Sequence, residues 1–457
     1  MVNNLSVADR LAVIAAKLAA TSIRRLGLGL GSNLPGRIAR KLSPSVLKNI
    51  SAQSDKGVIA VTGTNGKSTT SGILSSILRS AGFTFAHNRQ GANLVTGITA
   101  TMVESADWTG GLRADLCLFE IDEAALPVVA REVPIGSIVV TNLFRDQLDR
   151  FGELDTTSRL IRTGIDINKS QALLNADDPN VAQMTVEGKS IFFGIQSVEG
   201  AAASASQSEL AYCSKCEEEV KYSQVFYGQL GHWYCPKCSH KRPEPSVFAS
   251  QVSVGATSSR FHLSVDGRDF ECTLPLPGLF NVYNAVAASA AAHSLGISYL
   301  AIQAGLKEYS TLFGRSEKIV IDGKTIMVQL IKNPAGASQA VASCVKDDKA
   351  RVLIAINDNL ADGRDISWLW DADFEQLSQG KAHIIVSGQR AHDMAVRMKY
   401  AGVDQSLIAT EPRLAAALKD GLDKLGPGET LWLLPTYTCL LELQKIFKGM
   451  GHAMSGT

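Results

Sequence analysis

The most informative stretch of the chain reads Gly63-Thr64-Asn65-Gly66-Lys67-Ser68-Thr69. It lies between an apolar, strand-like run from Val58 to Thr62 and a helix-like run from Ser68 to Ala81. A strand that passes through glycines into a helix directs several backbone N–H groups, and the positive end of the helix dipole, at one point. This arrangement favours a bound phosphate, with Lys67 as a mobile positive charge and Ser68 as a hydroxyl ligand for Mg²⁺. The alternative is a glycine-rich turn with no ligand.

Length and composition set the broad class of the protein. A chain of 457 residues predicts roughly two or three domains. With 45% apolar residues and a net charge of +1, it is typical of a globular protein and offers no bulk electrostatic reason to bind nucleic acid. No apolar run is long enough to predict a transmembrane helix, and no signal peptide is indicated. The run from about Val7 to Leu26 predicts an amphipathic helix packed on a neighbouring domain, in preference to membrane attachment.

Further strand-like runs follow the phosphate-loop candidate, and helix-length segments separate them. These runs begin at Phe83, Leu116, Ile138 and Ala172. Several of them end in polar residues, and Glu120 ends the second. The pattern predicts an α/β fold with an open parallel sheet and a site along the edge where the strands end. Because Mg²⁺ prefers hard oxygen donors beside bound phosphate, Glu120 is the candidate carboxylate ligand.

A candidate metal site lies in an insertion at about 205–245, which follows a low-complexity Ala and Ser segment. Its ligands are two Cys-x-x-Cys knuckles, Cys213 with Cys216 and Cys235 with Cys238. Four thiolates from two tight turns predict a tetrahedral, structural Zn²⁺ site, with a disulfide pair as the alternative. The eight cysteines of the chain thus favour the cytosol over an oxidising compartment. We expect His232 and His240 to be surface residues and not metal ligands. We also expect the nearby basic side chains to form a solvated face and not a nucleic-acid site.

The pattern of strands and helix-length segments restarts after Ser316. Strand-like runs at Arg351, Ala382 and Thr430 predict a second α/β domain. The first of these strands leads into an acidic loop that extends from Asp358 to Asp373. Such carboxylates orient a histidine, hold a cation or pair with arginine. The alternative is a capped turn, in which Asp365 or Ser367 begins the next helix.

Several motifs together resemble the Mur ligase superfamily, whose members use ATP to activate a carboxylate as an acyl phosphate that an amine then attacks. They are the phosphate-loop candidate, Leu143–Gly152, Asn175–Pro179, Gly278–Ala285 and Gly314–Glu317. The resemblance implies that Lys67 and Ser68 lie at the phosphate and the metal, and Glu120 at Mg²⁺. It places Asn284 near the nucleotide and Arg315 in the hinge to the last domain.

Two positions depart from the pattern of the amino-acid-adding members. Gln147 stands where those ligases have a metal-binding histidine, and no lysine occurs between Lys67 and Lys169 to supply their carbamylated lysine. The resemblance therefore leaves a second Mg²⁺ site open. It also implies that the incoming nucleophile is handled differently.

The combination of motifs is similar to one branch of the superfamily, the MurT family. This narrower likeness rests on the cysteine-rich insertion, Phe144–Glu153, Leu330–Gly336 and the acidic loop. It implies a carbon–nitrogen ligase that converts the D-glutamate α-carboxylate of the lipid II stem peptide to D-isoglutamine at the inner face of the membrane. It further implies ATP, Mg²⁺ and structural Zn²⁺, and a heterodimer with a glutaminase of the GatD type that supplies ammonia. Asp362 is the first candidate, and Asp358 the second, to orient the partner's catalytic histidine.

The resemblance also implies a division of the chain. The expected parts are a helical lead-in at 1–50, a Mur ligase central ATP-binding domain at 51–314 with the zinc ribbon inserted, and a Rossmann-like α/β domain at 315–457. Two other functions stay open. One is an amino-acid-adding or folylpolyglutamate-type ligase, and the other is a zinc-ribbon binding protein on an inactive ligase scaffold.

Overall fold

The computed structural model describes residues 5–25, 33–88, 92–144, 154–199, 211–255, 257–310, 315–345, 350–380, 382–426 and 428–452. Gln147, and most of the motif around it, lie outside these ranges. The side chain of Arg315 is likewise not described.

The chain begins with three helices, α1 (Val7–Arg25), α2 (Leu34–Leu42) and α3 (Val46–Ser51). The helix predicted from about Val7 is present as α1. It buries Ala12, Val13 and Ala16 against the rest of the protein, so one face of the helix packs as predicted. None of the described helices has both the length and the apolar character needed to cross a membrane.

The first and larger sheet follows these helices. The strands from this part of the chain are β1 (Val58–Thr62), β2 (Phe85–His87), β3 (Leu116–Glu120), β4 (Ile135–Val140), β5 (Gln171–Asn175), β6 (Ser190–Ile195), β7 (Lys221–Tyr227), β8 (Leu230–Tyr234), β9 (Val247–Val254), β10 (Ser259–Val265) and β11 (Arg268–Leu274). Within the described ranges, nine of them form one sheet in the order β11-β10-β9-β6-β5-β4-β1-β3-β2. It is parallel from β2 to β9, as predicted. The antiparallel meander of β9, β10 and β11 is an extension that was not predicted.

Helices cover both faces of this sheet. They are α4 (Lys67–Ser80), α5 (Val95–Ser105), α6 (Leu126–Glu132), α7 (Leu154–Asn168), α8 (Pro179–Ala182), α9 (Leu279–Ser294) and α10 (Tyr299–Lys307). In β1, Ile59 and Val61 join the core on one face, while Val58 and Ala60 join the core on the other. Because both faces are buried, the central strands are continuously apolar. The helix predicted from Glu123 begins later, at Leu126, since the preceding residues form a turn in which Asp122 accepts a hydrogen bond from the Ala124 N–H.

The last part of the chain forms a second, separate sheet. Its strands are β12 (Arg315–Ile321), β13 (Lys324–Gln329), β14 (Ala350–Ala355), β15 (Ile384–Ser387), β16 (Ile408–Thr410) and β17 (Thr430–Pro435), and its helices are α11 (Pro334–Val345), α12 (Ala391–Tyr400), α13 (Leu414–Asp423) and α14 (Tyr437–Gly449). The six described strands are ordered β12-β13-β17-β14-β15-β16. All neighbours are parallel except β12 and β13. The predicted second α/β unit is therefore present.

Candidate active site

The phosphate-loop candidate joins β1 to α4 through two glycines in left-handed conformations. Gly63 has φ = 120° and Gly66 has φ = 85°, which side chains rarely adopt. A Cβ atom on Gly66 would also collide with Oδ1 of Asn284, and one on Gly63 would collide with Oγ1 of Thr141. The two glycines thus allow the backbone to turn sharply at the N-terminus of α4.

Residues that follow β4 hold the loop from one side. The Asn65 N–H donates to Oδ1 of Asn142 at 2.9 Å, and Oγ1 of Thr141 donates to the Asn65 carbonyl at 2.7 Å. The Phe144 N–H donates to Oγ1 of Thr64 at 3.1 Å. The sequence indicated polar residues at the end of this strand but not their contacts with the loop.

Lys67 is buried in the first turn of α4. Its Nζ atom donates to the Gly63 carbonyl at 2.6 Å and to Oε1 of Glu123 at 2.7 Å. Burial by itself lowers the pKa of Lys67, but the carboxylates of Glu123, Glu120 and Asp122 outweigh it and raise the pKa above its usual value. Lys67 therefore carries a positive charge beside the loop. Sequence reasoning missed the role of Glu123.

Ser68 and Glu120 converge beside Lys67, as predicted. The Oγ atom of Ser68 donates to Oε2 of the buried Glu120 at 2.6 Å. Asn88 fixes the backbone of Glu120, because its Oδ1 accepts from the Glu120 N–H at 2.8 Å and its Nδ2 donates to the Glu120 carbonyl at 2.7 Å. A carboxylate and a hydroxyl at a helix N-terminus form a donor set that suits Mg²⁺. The adjacent Thr69 is buried within the helix.

Asn284 and two residues from the second part of the chain also reach the loop. Asn284, on α9, accepts a hydrogen bond from Oγ1 of Thr70 at 3.2 Å. Asn333 donates to Oδ1 of Asn65 at 3.0 Å, and Nζ of Lys332 donates to the Thr64 carbonyl at 3.3 Å.

The amide of Asn65 offers a further sign of a ligand site. Its Nδ2 atom is buried and has no hydrogen-bond partner among the described residues. A buried amide donor beside a charged lysine and a helix N-terminus suits a phosphate oxygen as its acceptor.

The four cysteines of the insertion lie together. Their sulfur atoms are all within 4.8 Å of one another, and none forms a disulfide. The residue after the second cysteine of each knuckle, Glu217 or Ser239, has a φ near 60° that lets the chain fold back around the sulfurs. The set fits tetrahedral Zn²⁺ coordination.

The two histidines near the knuckles are less exposed than predicted, although the prediction that they are not metal ligands agrees with the cysteine cluster of the described residues. Both are half-buried. Nε2 of His232 lies 3.0 Å from the Ile195 carbonyl. The ring of His240 packs edge-on against Trp233, with its Nδ1 atom 3.7 Å from Sγ of Cys213. Neither histidine belongs to the four-sulfur cluster found among the described residues.

The hairpin of β7 and β8 lies next to the cysteine cluster. It contacts Leu143 and Phe144, the residues after β4 that lie beside the phosphate loop. Nε2 of Gln229 donates to the Leu143 carbonyl at 2.6 Å. The ring of Tyr227 lies against that of Phe144, with their centroids 5.1 Å apart. Since Phe144 is hydrogen-bonded to Thr64, the insertion supports the loop through one intervening residue.

The insertion is also anchored to the sheet by a buried charged group. Arg242 pairs with Asp177 at 2.5 Å, and the Tyr283 hydroxyl donates to the same carboxylate at 2.8 Å. Burial and the charge of Asp177 raise the pKa of Tyr283 well above its usual value, so its hydroxyl stays a donor. These contacts fix the return of the chain from the insertion to β9.

In the acidic loop, Asp362 and Asp358 have different environments. Asp362 is buried, and its two oxygens accept from the N–H and Oγ1 of Thr438 at 2.7 and 2.6 Å, at the start of α14. Asp358 is partly exposed and pairs with Arg390 at 2.6 Å. Asp365 accepts from the Ser367 N–H at 2.8 Å in a turn just before the short 3₁₀ helix Ser367–Trp370, whose N-cap residue is Ile366.

Comparison with known proteins places these features in a family. Residues 61–232 match the Mur ligase middle domain, and residues 330–440 match the MurT ligase C-terminal domain. A Staphylococcus aureus protein, the MurT subunit of lipid II isoglutaminyl synthase (glutamine-hydrolyzing), is 34% identical over 96% of this chain and 98% of its own length. The chain belongs to the MurT family. A Streptococcus pneumoniae MurT subunit is 33% identical over 92% of this chain and 93% of its own length.

Solved structures agree on the fold of this MurT family member. MurF from Acinetobacter baumannii superposes with a TM-score of 0.67 at 19% identity, over 91% of this chain and 80% of its own. A pseudomurein peptide ligase from Methanothermus fervidus gives 0.68 at 22% identity, over 90% and 84% of the two chains. The chain therefore has a mixed α/β Mur ligase fold with more than one parallel sheet.

Proposed function

We propose that this chain is the synthetase subunit that amidates lipid II, converting the α-carboxylate of D-glutamate in the stem peptide to D-isoglutamine. The proposal rests on the MurT relatives and on one geometric observation, the convergence of Ser68 and Glu120 beside the charged Lys67. A free carboxylate is a poor electrophile. In the proposed reaction the terminal phosphoryl group of ATP is transferred to it, and ammonia then attacks the acyl phosphate and expels inorganic phosphate.

Different residues at the loop are proposed to bind the phosphates, the nucleotide and the metal ion during this phosphoryl transfer. Within Gly63–Thr69, the backbone N–H groups at the start of α4 and the Nζ atom of Lys67 would hold the phosphates, whereas the Thr64 and Asn65 N–H groups are already bonded to Asn142. Asn284 and Arg315 are proposed to contact the nucleotide. Ser68 and Glu120 would hold Mg²⁺, which supplies neutralising charge to the transferring group. Lys332 and Asn333 bring the second sheet to the same loop, and so link the two parts of the chain at the site.

The chain has no described thiol suited to hydrolysing glutamine. Burial raises the pKa values of Cys117, Cys272 and Cys439 to about 12, so these side chains are not nucleophilic thiolates. The other described cysteines are the four of the cluster and the buried Cys344. We therefore infer that ammonia comes from a separate glutaminase of the GatD type in a heterodimer.

One aspartate of the acidic loop is proposed to orient the histidine of that partner. The resemblance favoured Asp362 over Asp358. The geometry favours the reverse order, because both oxygens of Asp362 hold the first turn of α14 whereas Asp358 is partly exposed. A partner side chain can approach Asp358 by competing with Arg390, without loss of the hydrogen bonds between Asp362 and Thr438.

The proposed organisation follows the same family. It comprises a helical lead-in at 1–50, a central ATP-binding domain at 51–314 with a zinc ribbon at about 205–245, and a Rossmann-like domain at 315–457. We place the enzyme in the cytoplasm, at the inner face of the membrane that holds its lipid-linked substrate. The Cys213, Cys216, Cys235 and Cys238 site is proposed to be structural, since four thiolates leave no open position on Zn²⁺.

The mass of the product tests this function. Lipid II is incubated with ATP, glutamine and the co-purified heterodimer and is then analysed by mass spectrometry. Amidation replaces a hydroxyl by an amino group and makes lipid II slightly lighter. An amino-acid-adding ligase would instead increase the mass by a whole residue, and an inactive scaffold would consume no ATP with any acceptor.

A further inference from the structure

Helix α1 carries apolar residues on two opposite faces. Ala12, Val13 and Ala16, together with the carboxylate of Asp9, are buried against the rest of the protein. The opposite side carries four exposed apolar residues, which we call the outer stripe: Val7 (74% exposed), Leu11 (58%), Ile14 (36%) and Leu18 (56%). Their spacing of three or four residues places them in one row along the helix.

A row of this kind is unusual for the outward side of a surface helix. Such a helix normally turns an apolar stripe to the core and polar residues to water. Contiguous exposed apolar surface with polar residues at its rim marks a site of interaction with another protein or with a membrane. The outer stripe is therefore a candidate interaction surface.

Basic side chains lie along the outer stripe, and one of them, Lys17, also donates to the backbone carbonyl of the exposed Glu104 at 3.3 Å. Arg10 is exposed, and Lys17 lies beside the stripe with its Nζ atom 5.7 Å from the ring centroid of Trp108, which is itself 55% exposed. Asp9 is withdrawn from this surface, because its carboxylate accepts hydrogen bonds from Ser43 at 2.6 Å and from Asn49 at 2.8 Å.

Two further observations extend this charge pattern. Asp107, next to Trp108, folds into its own turn by accepting from the Thr109 N–H at 2.8 Å. The neighbouring helix α2 exposes Arg37 and Lys41. Residues 1–50 contain eight Lys or Arg and one acidic residue, whereas the whole chain has 45 and 44, so positive charge is concentrated in this part.

We propose that the outer stripe and Trp108 insert into the headgroup region of an anionic membrane, with Arg10 and Lys17 at the lipid phosphates. Amphipathic helices with basic flanks bind in this manner, and tryptophan favours the same depth. The inference rests on the proposed function, since a lipid-linked substrate stays in the bilayer and the enzyme must come to it. A second copy of the chain is a poorer occupant, because pairing two stripes brings basic residues of the same sign together.

Vesicle binding by the heterodimer tests this proposal. The unmodified complex should co-sediment with vesicles that contain phosphatidylglycerol and much less with vesicles of phosphatidylcholine alone. Leu11→Gln combined with Leu18→Gln should weaken the partition into anionic vesicles by about tenfold or more. A matched control is Leu300→Gln with Val128→Gln, which replaces exposed apolar residues elsewhere and should leave binding unchanged.

Activity assays separate this proposal from the proposed function. The Leu11→Gln, Leu18→Gln variant should amidate a water-soluble, short-chain analogue of lipid II at the normal rate but should lose activity toward lipid II in vesicles. If the unmodified complex amidates neither substrate but still binds anionic vesicles, the proposed amidation activity is wrong and the proposed membrane-binding surface is supported. Equal vesicle binding by variant and unmodified complexes would overturn the membrane surface. So would a sedimentation experiment in which the substitutions split a dimer of heterodimers.

Discussion

The Nζ atom of Lys67 lies 2.7 Å from Oε1 of Glu123, and both side chains are buried. The pair keeps a positive charge at the phosphate loop, where an isolated buried ammonium would be costly. It also holds the lysine against the loop through its contact with the Gly63 carbonyl. In the proposed reaction, Lys67 would donate to phosphate oxygens of ATP from this position.

Lys67→Ala should abolish ATP turnover while the glutaminase stays bound. Loss of one charged donor from a transferring phosphoryl group typically costs about two to three orders of magnitude in rate. Steady-state ATPase assays and pull-down of the partner measure the two effects. Lys424→Ala, which removes an exposed lysine paired with Asp420, is the control and should behave normally. Unchanged ATP turnover in Lys67→Ala would remove the loop from the mechanism.

Glu120→Gln should raise the Mg²⁺ concentration needed for half-maximal ATP turnover by about tenfold or more, because the carboxylate is the proposed metal ligand. The measurement is a Mg²⁺ titration at saturating ATP. Ser68→Ala should shift the same curve in the same direction, since its hydroxyl lies 2.6 Å from that carboxylate. Curves that superpose on that of the unmodified enzyme would show that the metal is held elsewhere.

Loss of the proposed zinc ion from the cysteine cluster should weaken ATP binding as well as stability. The path runs from the insertion through Tyr227 and Phe144 to Thr64. Cys235→Ser should lose the metal, as measured by atomic absorption, and should lower the midpoint of thermal unfolding. Tyr227→Ala should retain zinc yet bind ATP more weakly in a calorimetric titration. A metal-free protein with normal ATP affinity would contradict the link between the insertion and the loop.

The two loop aspartates should respond differently to substitution by asparagine. Asp358→Asn should reduce amidation driven by glutamine but spare amidation with high concentrations of ammonium salt. Asp362→Asn should reduce stability by about 1–3 kcal/mol, because the new amide cannot accept both hydrogen bonds from Thr438. Amidation rates measured with glutamine and with ammonium detect the first effect, and denaturant unfolding detects the loss of stability. If Asp362→Asn alone loses amidation with glutamine but keeps amidation with ammonium, Asp362 and not Asp358 orients the partner's histidine, as the resemblance implied.

Much of the fold could be predicted because its central strands are buried on both faces and are continuously apolar. The run Leu116–Glu120 was therefore predicted with its observed bounds. The meander of β9, β10 and β11 was missed because its strands alternate buried residues such as Phe261 and Leu263 with exposed ones, and because serines and charges break the apolar runs.

Only those parts of the candidate site whose residues lie within one short sequence motif could be predicted. Gly63–Thr69 and the cysteine knuckles have spacings that reflect their own backbone geometry. Glu123, in contrast, meets Lys67 only after the sheet is formed. Asn333 reaches Asn65 across 268 positions of sequence, so no local signal could indicate that contact.

The most direct test of activation through an acyl phosphate traces the carboxylate oxygen atoms of the substrate. Lipid II is prepared with a heavy oxygen isotope in the α-carboxylate of D-glutamate and is incubated with the heterodimer, ATP and glutamine. Activation as an acyl phosphate predicts that each amide formed is matched by one inorganic phosphate that carries the heavy isotope. Amide formed with unlabelled phosphate, or ATP left intact while the product appears, would contradict the central claim.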